Sequence, residues 1–363
     1  MIPILTWAGN CYPQGARSFY YLGNLYYNNR LTDEAVGAWE RSESIDGQFP
    51  TVRRNLALAA FNKLGQPDRA LQELETAFRL DPSDARLFLE LDQLRKRLGV
   101  PPDDRLALLG THPDLVDRRD DLFLERVSLL NLRGDNERAL GLLLGRKFHP
   151  WEGGEGKVTR QYVTALLGLS KCAQLKGTHS AAASFAERAL SYPENLGEGK
   201  LFGAMESDVF YYLGCALAGQ GLDEKARAAF ERAAQGDREL ALSMSYNDQP
   251  ADMLFFQGLA CARQGREAEA RRCFSRLVEY GERHGRDPVS IDYFSVSLPD
   301  FLIFEDDLAR RNSVFCSYLM GLGLLGLSDD ARARAALNTA LADDPSHAGA
   351  REILRDLERG WKF

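Results

Sequence analysis

The sequence predicts an all-α protein that is built from repeated helical hairpins. The first observation is a phrase that recurs along the 363 residues: an apolar helix with a small pair such as Leu-Gly, a turn, and then Ala-x3-Phe-x2-Ala. The second is the spacing of the early copies, which is about 34 residues. The third is a turn sequence, such as GQGLDE or GDNE, which ends the first helix of a copy and begins the second.

The clearest copy is FYYLGCALAGQGLDEKARAAFERAA, residues 210–234. Gly214, Ala226 and Phe230 occupy positions 8, 20 and 24 of a unit of about 34 residues. We expect positions 8 and 20 to be small because two helices cross there at close range, and position 24 to be large because it fills the gap against the next helix. A lone hairpin cannot bury both of its faces, so stacking on neighbours explains the repetition.

The copies divide the chain into eight predicted units. Seven copies match the phrase well, whereas the third has Asp104 where a small residue is expected. The units are 16–49, 51–84, 85–118, 120–153, 163–196, 207–240, 251–284 and 314–347, and a capping helix follows at 348–359. Together they predict a single solenoid domain over residues 1–363.

The spacing of the position-20 residues is uneven. It stays near the standard length from Ala35 through Ala70 and Asp104 to Ala139, and then grows. Insertions are therefore predicted at 154–162, 197–206, 241–250 and 285–313. Each follows the second helix of a hairpin, so all four should emerge on one edge of the array, which is often its binding face.

The phrase and its spacing resemble the tetratricopeptide repeat. That resemblance implies an all-α, right-handed superhelical solenoid of about eight hairpins with insertions on one edge. The insertion phrases WEGGEGK, YPENLGEGKL, YNDQ and DYFSVSLPDF also resemble the C-terminal repeat region of bacterial proteins that carry domain of unknown function 5107. In that family a β-rich domain, similar to carbohydrate-associated sandwiches, precedes the repeats, and we expect no such domain within these 363 residues. The resemblance brings no catalytic mechanism.

The insertions and their flanks carry the candidate binding residues, because they combine aromatic rings, carboxylates and amides in Gly- and Pro-rich loops. The candidates are His149, Trp151, Glu152, Glu155 and Lys157; Glu194, Asn195, Glu198 and Lys200; Tyr246, Asn247 and Asp248; and Asp292, Tyr293, Asp300, Arg310 and Arg311. Trp151 is either a platform for a polar ligand or a plug between two units. The two GEGK turns are either a ligand clamp or two copies of one structural turn. Asn247 or Asp248 is either a ligand group or a helix cap.

The fourth insertion contains DYFSVSLPDFLIF, which is too apolar for a free loop and is expected to pack into the concave groove. FEDDLARR, which follows, is predicted to form a short extra helix. Its carboxylates suit two interpretations. They act in pairs for general acid–base chemistry, or they cap helices and form ion pairs such as Asp306 with Arg310.

Composition excludes several classes. Lys and Arg number 45 against 52 Asp and Glu, a net charge of −7, which argues against sequence-independent nucleic-acid binding. No apolar run reaches the roughly 18 residues of a membrane span. The N-terminus, MIPILTWAGN, lacks the features of a signal peptide, and none of the six cysteines forms a CxxC pair. We therefore expect a cytoplasmic protein without a cofactor or a metal ion.

Two functions remain. The first is a non-enzymatic interaction module, whose concave groove and insertion edge hold a protein or peptide partner or the β-rich domain. The alternative is a carbohydrate-binding or carbohydrate-processing protein, whose insertion loops form a polar and aromatic ligand site. Convergence of the insertion side chains in one open pocket would favour carbohydrate. Insertion side chains that are buried and hydrogen-bonded to one another would favour the interaction module. An interaction module of this kind is more often not an enzyme.

Overall fold

The computed structural model describes residue 11 and the ranges 13–151, 153–201, 203–240, 249–289 and 303–363. These residues form helices and no β-strand, which confirms the all-α prediction. A short 3₁₀-helix spans Glu194–Leu196. The α-helices are α1 Ala16–Asn28, α2 Thr32–Ile45, α3 Pro50–Asn62, α4 Pro67–Leu80, α5 Ala85–Arg97, α6 Pro102–Thr111, α7 Pro113–Arg118, α8 Asp120–Arg133, α9 Asn136–Leu144, α10 Lys157–Leu175, α11 His179–Arg188, α12 Ser207–Gly219, α13 Asp223–Ala233, α14 Met253–Arg263, α15 Glu267–His284, α16 Leu308–Gly326, α17 Asp330–Asp343 and α18 Ala348–Glu358.

One residue in the turn between paired helices has a positive φ in every predicted unit. These residues are Arg30, Gly65, Gly99, Gly134, Gly177, Gly221, Gly265 and Ser328. Each lies five residues before the position-20 residue of its unit, including Asp104 of the degenerate third unit. The next residue closes the turn: the Val100 N–H, for example, donates to the Arg95 carbonyl at 3.0 Å. The turn residue thus marks the repeat spacing even in the third unit, where the second helix lacks the small residue at position 20.

The large residue at position 24 lies on the glycine at position 8 of its own hairpin. A Cβ added at Gly214 would lie 2.6 Å from the Phe230 ring, and one at Gly258 would lie 2.5 Å from the Phe274 ring. The same ring of Phe274 also approaches Gly326, in the first helix of the next hairpin. The glycines are needed because the two helices cross too closely for any side chain.

The chain divides into two compact units. Unit 1 comprises Met1–Val100, Ala107–Phe123 and Leu302–Asp306, and unit 2 comprises Pro101–Leu106, Leu124–Phe301 and Asp307–Phe363. Unit 1 therefore contains α1–α5 and α7, and unit 2 contains α9–α18, while α6 and α8 run from one into the other. The single solenoid domain over 1–363 stays a prediction.

In unit 1, the end of the fourth insertion packs on α3. Asn62 donates its side-chain amide to the Ile303 carbonyl at 2.9 Å, and Phe304, only 2% exposed, meets the Phe61 ring edge-on. Two salt bridges flank this contact: Lys63 with Glu305, and Arg97 with Asp306. Asp306 thus pairs with Arg97, and its predicted pairing with Arg310 stays a prediction. The earlier part of that insertion, 290–302, lies outside the described residues.

Parts of two predicted insertions belong to longer helices. The prediction of a separate short helix over FEDDLARR is wrong, because residues 308–311 begin α16. The Asp307 carboxylate caps that helix by accepting a hydrogen bond from the Arg310 N–H at 3.0 Å. Similarly, residues 157–162 of the first insertion begin α10, since Val158 and Tyr162 extend its buried face.

Unit 2 ends in α18, which places Ile353 and Leu354 in the interior. The predicted capping helix at 348–359 matches this element closely. Across the described part of the chain, no helix combines the length and apolarity needed to cross a membrane.

Candidate functional site

The first helices of five hairpins in unit 2 face α18 across a cavity of about 380 Å³. We call the surface formed by α8, α10, α12, α14 and α16 around this cavity the inner groove. It is lined by aromatic and charged side chains. The principal ones are Arg160 and Asp208, Tyr212 and Phe256, Asp252, Phe315 and Tyr318 from the groove, and His347, Glu352, Ile353 and Arg355 from α18 and the residue before it.

Arg160 is the charged centre of this cavity. Its side chain remains 54% exposed, although it donates to the Asp208 carboxylate, which is 4% exposed, at 3.1 Å. Desolvation opposes its charge, but Asp208, Asp252 and Glu352 outweigh that effect and raise the pKa of Arg160. A guanidinium that is accessible to solvent and surrounded by carboxylates can change its hydrogen-bond partner without losing its charge.

Asp252 lies across the cavity, directly before α14. The Tyr318 hydroxyl donates to its carboxylate at 3.4 Å. Desolvation raises the pKa of Asp252, while Arg160 acts in the opposite direction. The cavity therefore places the buried Asp252 carboxyl close to the Arg160 guanidinium.

A buried ion triad fastens α18 to the groove. Lys171 on α10, only 4% exposed, forms salt bridges with Glu352 and Asp356, which lie one helical turn apart on α18. The ammonium also lies 5.2 Å from the centre of the Tyr212 ring. Desolvation works against the charge of Lys171, but the two carboxylates prevail and raise its pKa.

The rest of the C-terminal segment adds three kinds of contact. Arg355 donates to the carbonyls of Asn131 and Leu132 at 3.4 and 2.7 Å, which satisfies acceptors in the last turn of α8. His347 caps α18 by accepting the Ala350 N–H at 3.2 Å. Beyond the helix, the Trp361 ring meets Tyr212, and the Phe363 ring meets Phe255, at centroid distances of 5.5 and 5.6 Å.

A second, larger cavity of about 970 Å³ lies at the turn ends of α10–α14, beside residues 360–362. Its walls include His179, Arg227, Arg263 and Arg266. Arg266 is already engaged with Glu269 and the Cys261 thiol. We take the smaller cavity as the candidate site because the first helices of five hairpins converge on it and helix α18 lies against it.

The first two insertions meet each other and are held by backbone hydrogen bonds. The Asn195 side chain donates to the carbonyls of Leu143 and Arg146, both at 2.8 Å, and its own carbonyl accepts from the Phe148 N–H at 2.7 Å. The Glu198 carboxylate accepts from the Gly156 N–H at 2.9 Å. Burial raises the pKa of Glu198, and the Gly156 hydrogen bond partly offsets this. These contacts favour the structural-turn interpretation.

The remaining described candidates lie away from the cavity. The Trp151 ring lies against Gly154, where a Cβ would approach to 2.2 Å, and Lys200 bonds to the Leu190 carbonyl and to Glu206. His149, Glu155, Lys157, Glu194, Arg310 and Arg311 are exposed. Glu152, Tyr246, Asn247, Asp248, Asp292, Tyr293 and Asp300 lie outside the described residues. Whether any candidate binds a ligand stays a prediction.

The sequence analysis missed the residues of the inner groove. Arg160, Asp208 and Asp252 are single polar residues on three different helices, so no local pattern joins them. One signal was present: Lys171 stands in the otherwise apolar stretch LLGLSKCAQL, and Glu352 and Asp356 have the spacing of one helical turn. Within the described ranges, no group of three or more His, Cys, Asp or Glu is arranged to hold a metal ion.

Comparisons with known proteins connect the chain to repeat proteins. No family model matches it. Over 97 residues, 26% of this chain, it is 35% identical to the TPR repeat-containing thioredoxin TTL4 of Arabidopsis thaliana. The match covers 14% of that relative, so the chain spans only a small part of its length.

Solved structures of low sequence identity are also similar. A tetratricopeptide repeat protein from Parabacteroides merdae is 11% identical, with 84% of this chain and 99% of that chain covered and a TM-score of 0.41. YrrB, a TPR protein with an unusual peptide-binding site, is 16% identical, with 64% and 92% covered and a TM-score of 0.35. Naa15/Naa10 bound to HypK-THB is 12% identical, with 98% and 58% covered and a TM-score of 0.43. Tetratricopeptide-repeat proteins are thus its neighbours in sequence and structure.

Proposed function

We propose that this protein is a non-enzymatic interaction scaffold that binds a protein or peptide partner in the inner groove. The observation that carries the proposal is the seating of α18. A helix of the chain itself lies on this surface, held by the Lys171 ion triad and by Arg355. A surface that binds one helix through side chains has the chemistry to bind another.

The free part of the groove supports the same function. The cavity of about 380 Å³ joins aromatic walls at Phe256, Phe315 and Tyr318 to the accessible Arg160. Apolar and aromatic walls with a few placed polar groups are typical of binding sites. Arg and aromatic residues are also the side chains that contribute most to protein interfaces.

The insertion edge has weaker support as the binding surface. Asn195, Glu198 and Lys200 bond to backbone atoms or to neighbouring side chains. A carbohydrate site would need these polar groups to converge on an open pocket, and none of the three lines either cavity described above. We therefore place the binding function in the groove.

The test is quantitative partner binding by matched variants. The immobilised full-length chain captures proteins from extracts of its native cells, and each captured protein is purified and titrated by calorimetry. We expect Arg160→Glu to weaken the true partner about tenfold or more, since it reverses the charge at the cavity centre. Arg271→Glu, at an exposed position of α15, makes the same charge change elsewhere and should leave affinity unchanged. Equal loss in both variants would reject the groove as the site.

Two finer predictions of the sequence remain predictions. One is the relation to the repeat region of proteins that carry domain of unknown function 5107, with a β-rich domain as a possible groove partner. The other is the cytoplasmic location. Co-expression with a β-rich domain, followed by the same Arg160→Glu titration, tests whether such a domain binds in the groove.

A further inference from the structure

The inner groove already contains a bound segment of this chain, residues 345–363. We propose that this C-terminal segment is an exchangeable resident, and that the partner is an amphipathic helix with two carboxylates one turn apart, which replaces it. This inference rests on the proposed function and names the chemistry of the partner. It follows from what the groove holds, what it leaves empty and how the segment is attached.

The groove selects acid pairs on a helix. The Lys171 ammonium donates to the carboxylates of Glu352 and Asp356 together, which requires carboxylates at i and i+4 on one helix face. The adjacent residues Ile353 and Leu354 are buried, so the helix that fits is apolar beside its acidic pair. A basic helix would bring its cations against Lys171 and Arg160 and would be repelled. The recognised partner is therefore acidic and amphipathic.

The resident helix fits incompletely. It leaves a cavity of about 380 Å³ between its own Ala348, Gly349 and Glu352 and the groove. In addition, the Trp361 indole nitrogen and the Arg355 Nε are buried and have no hydrogen-bond acceptor among the described residues. Unpaired buried donors weaken the bound state. A helix that fills the cavity and reaches Arg160 with a further acid would bind more tightly than α18 does.

The attachment lets the segment move without unfolding its neighbour. Helix α17 ends at Asp343, and only Asp344, Pro345 and Ser346 separate it from His347, the cap of α18. The Asp344 backbone is extended, with φ −131 and ψ 91. Rotation at this connection releases α18 while α17 keeps its place beside α16. The contacts that must break when α18 leaves are the Lys171 ion pairs, the Arg355 hydrogen bonds and the packing of Ile353 and Leu354.

The test uses the full-length chain and a fluorescein-labelled synthetic peptide of residues 345–363. Glu352→Gln/Asp356→Asn removes the resident acids and leaves Lys171 ready for a ligand. We expect this variant to bind the peptide at least about tenfold more tightly than the wild type does, because the resident no longer competes. A peptide that carries the same two substitutions should bind the variant at least about tenfold more weakly. Equal binding of the two peptides, or equal binding by the two proteins, would overturn the proposal.

A second measurement covers the case in which the variant does not fold. In the wild-type chain, amide hydrogen exchange in α18 should be at least about a hundredfold faster than in α12, because α18 opens separately. Amide hydrogen exchange in α18 as slow as that in α12 would contradict the exchangeable C-terminal segment. A concentration-dependent dimer with exchanged tails would assign the groove to a second copy and so overturn the external partner.

The two proposals fail separately. Peptide binding without any captured partner would support the exchangeable C-terminal segment but reject the external partner, and with it the proposed function. A captured partner that depends on Arg160, combined with an α18 that neither opens nor exchanges, would leave the function standing and reject the inference.

Discussion

Lys171 and Asp356 form a salt bridge although 185 residues separate them, and their side chains are only 4% and 6% exposed. Two charges are thus removed from water to fix α18 on α10. Buried pairs of this kind often stabilise a protein less than apolar residues would, yet they define one geometry, because a broken pair leaves an uncompensated charge. The pair therefore specifies where the C-terminal helix binds.

Removing the Lys171 ammonium alone should be costly. Lys171→Met leaves Glu352 and Asp356 as neighbouring carboxylates without a counter-ion, so we expect the free energy of unfolding to fall by about 3–5 kcal/mol in urea denaturation. The triple variant Lys171→Met/Glu352→Gln/Asp356→Leu should recover most of that loss. A loss below about 1 kcal/mol for Lys171→Met would mean that the triad is solvated in solution.

His347 should make the stability of α18 depend on pH. Burial lowers the pKa of its imidazole, with Asp344 opposing, and its ring lies 4.6 Å from that of Tyr318. As the pH falls through about 6.5, the unfolded chain takes up the proton first, so stability decreases. Protonation also removes the acceptor of the Ala350 N–H.

The measurement is the thermal midpoint at pH 7.5 and at pH 5.5. Asparagine at position 347 keeps a helix cap but does not titrate. We therefore expect the thermal midpoint of His347→Asn to fall by about 2 °C less than that of the wild type when the pH drops from 7.5 to 5.5. An identical pH response in the two proteins would show that other groups cause it.

Ser328 occupies a turn position that glycine fills in six other units. Its φ of 65 strains an L-residue, by about 1–2 kcal/mol. Glycine removes that strain but adds freedom to the unfolded chain, so Ser328→Gly should stabilise the fold by about 0.5–1 kcal/mol, measured by urea denaturation. Ser328→Ala keeps the strain and should give no gain. Stabilisation by alanine equal to that by glycine would contradict this explanation.

Gly258 and Gly141 should respond to alanine in opposite directions. In α14, a Cβ at Gly258 would lie 2.5 Å from the Phe274 ring, so Gly258→Ala should destabilise by about 1–3 kcal/mol through overpacking. In α9, a Cβ at Gly141 meets nothing within 4 Å, so Gly141→Ala should stabilise by up to about 1 kcal/mol through helix propensity. Calorimetric melting of both variants checks the pair, and a shift of the same sign would refute the close crossing.

Asn195 tests the structural interpretation of the insertions. Asn195→Ala deprives the carbonyls of Leu143 and Arg146 of their donor, so we expect a loss of about 1–3 kcal/mol in the free energy of unfolding. The neighbouring, exposed Glu194→Gln should change stability by no more than about 0.5 kcal/mol. An Asn195→Ala protein as stable as the wild type would instead indicate that the Asn195 side chain binds a ligand.

The repeat pattern predicted the helices well because it rests on local chemistry. Small residues at the helix crossing and a turn residue with positive φ recur at fixed spacing. Residues such as Gly214 and Gly221 can therefore be assigned from the sequence of a single unit. Even the third unit, which has Asp104 in place of the small residue at position 20, retains Gly99 in its turn. The predicted helix boundaries were wrong where a helix capped by Asp307 begins inside a predicted insertion.

The groove was not predictable in the same way. Arg160, Asp208 and Asp252 come together only because stacking aligns the first helices of successive hairpins. The candidates chosen from the insertions were conspicuous in composition, yet Asn195 and Glu198 bond to backbone groups. Loop chemistry and binding chemistry use the same residue types, and only the partners of each side chain distinguish them.

The long separation of α10 from α18 sets an order of events during synthesis. Lys171 leaves the ribosome 185 residues before Asp356, an interval of about 10–40 s at ordinary translation rates. Throughout that interval the nascent chain carries an uncovered apolar surface with an unneutralised ammonium. Any chaperone or acidic helix that meets the chain then finds the groove without its resident.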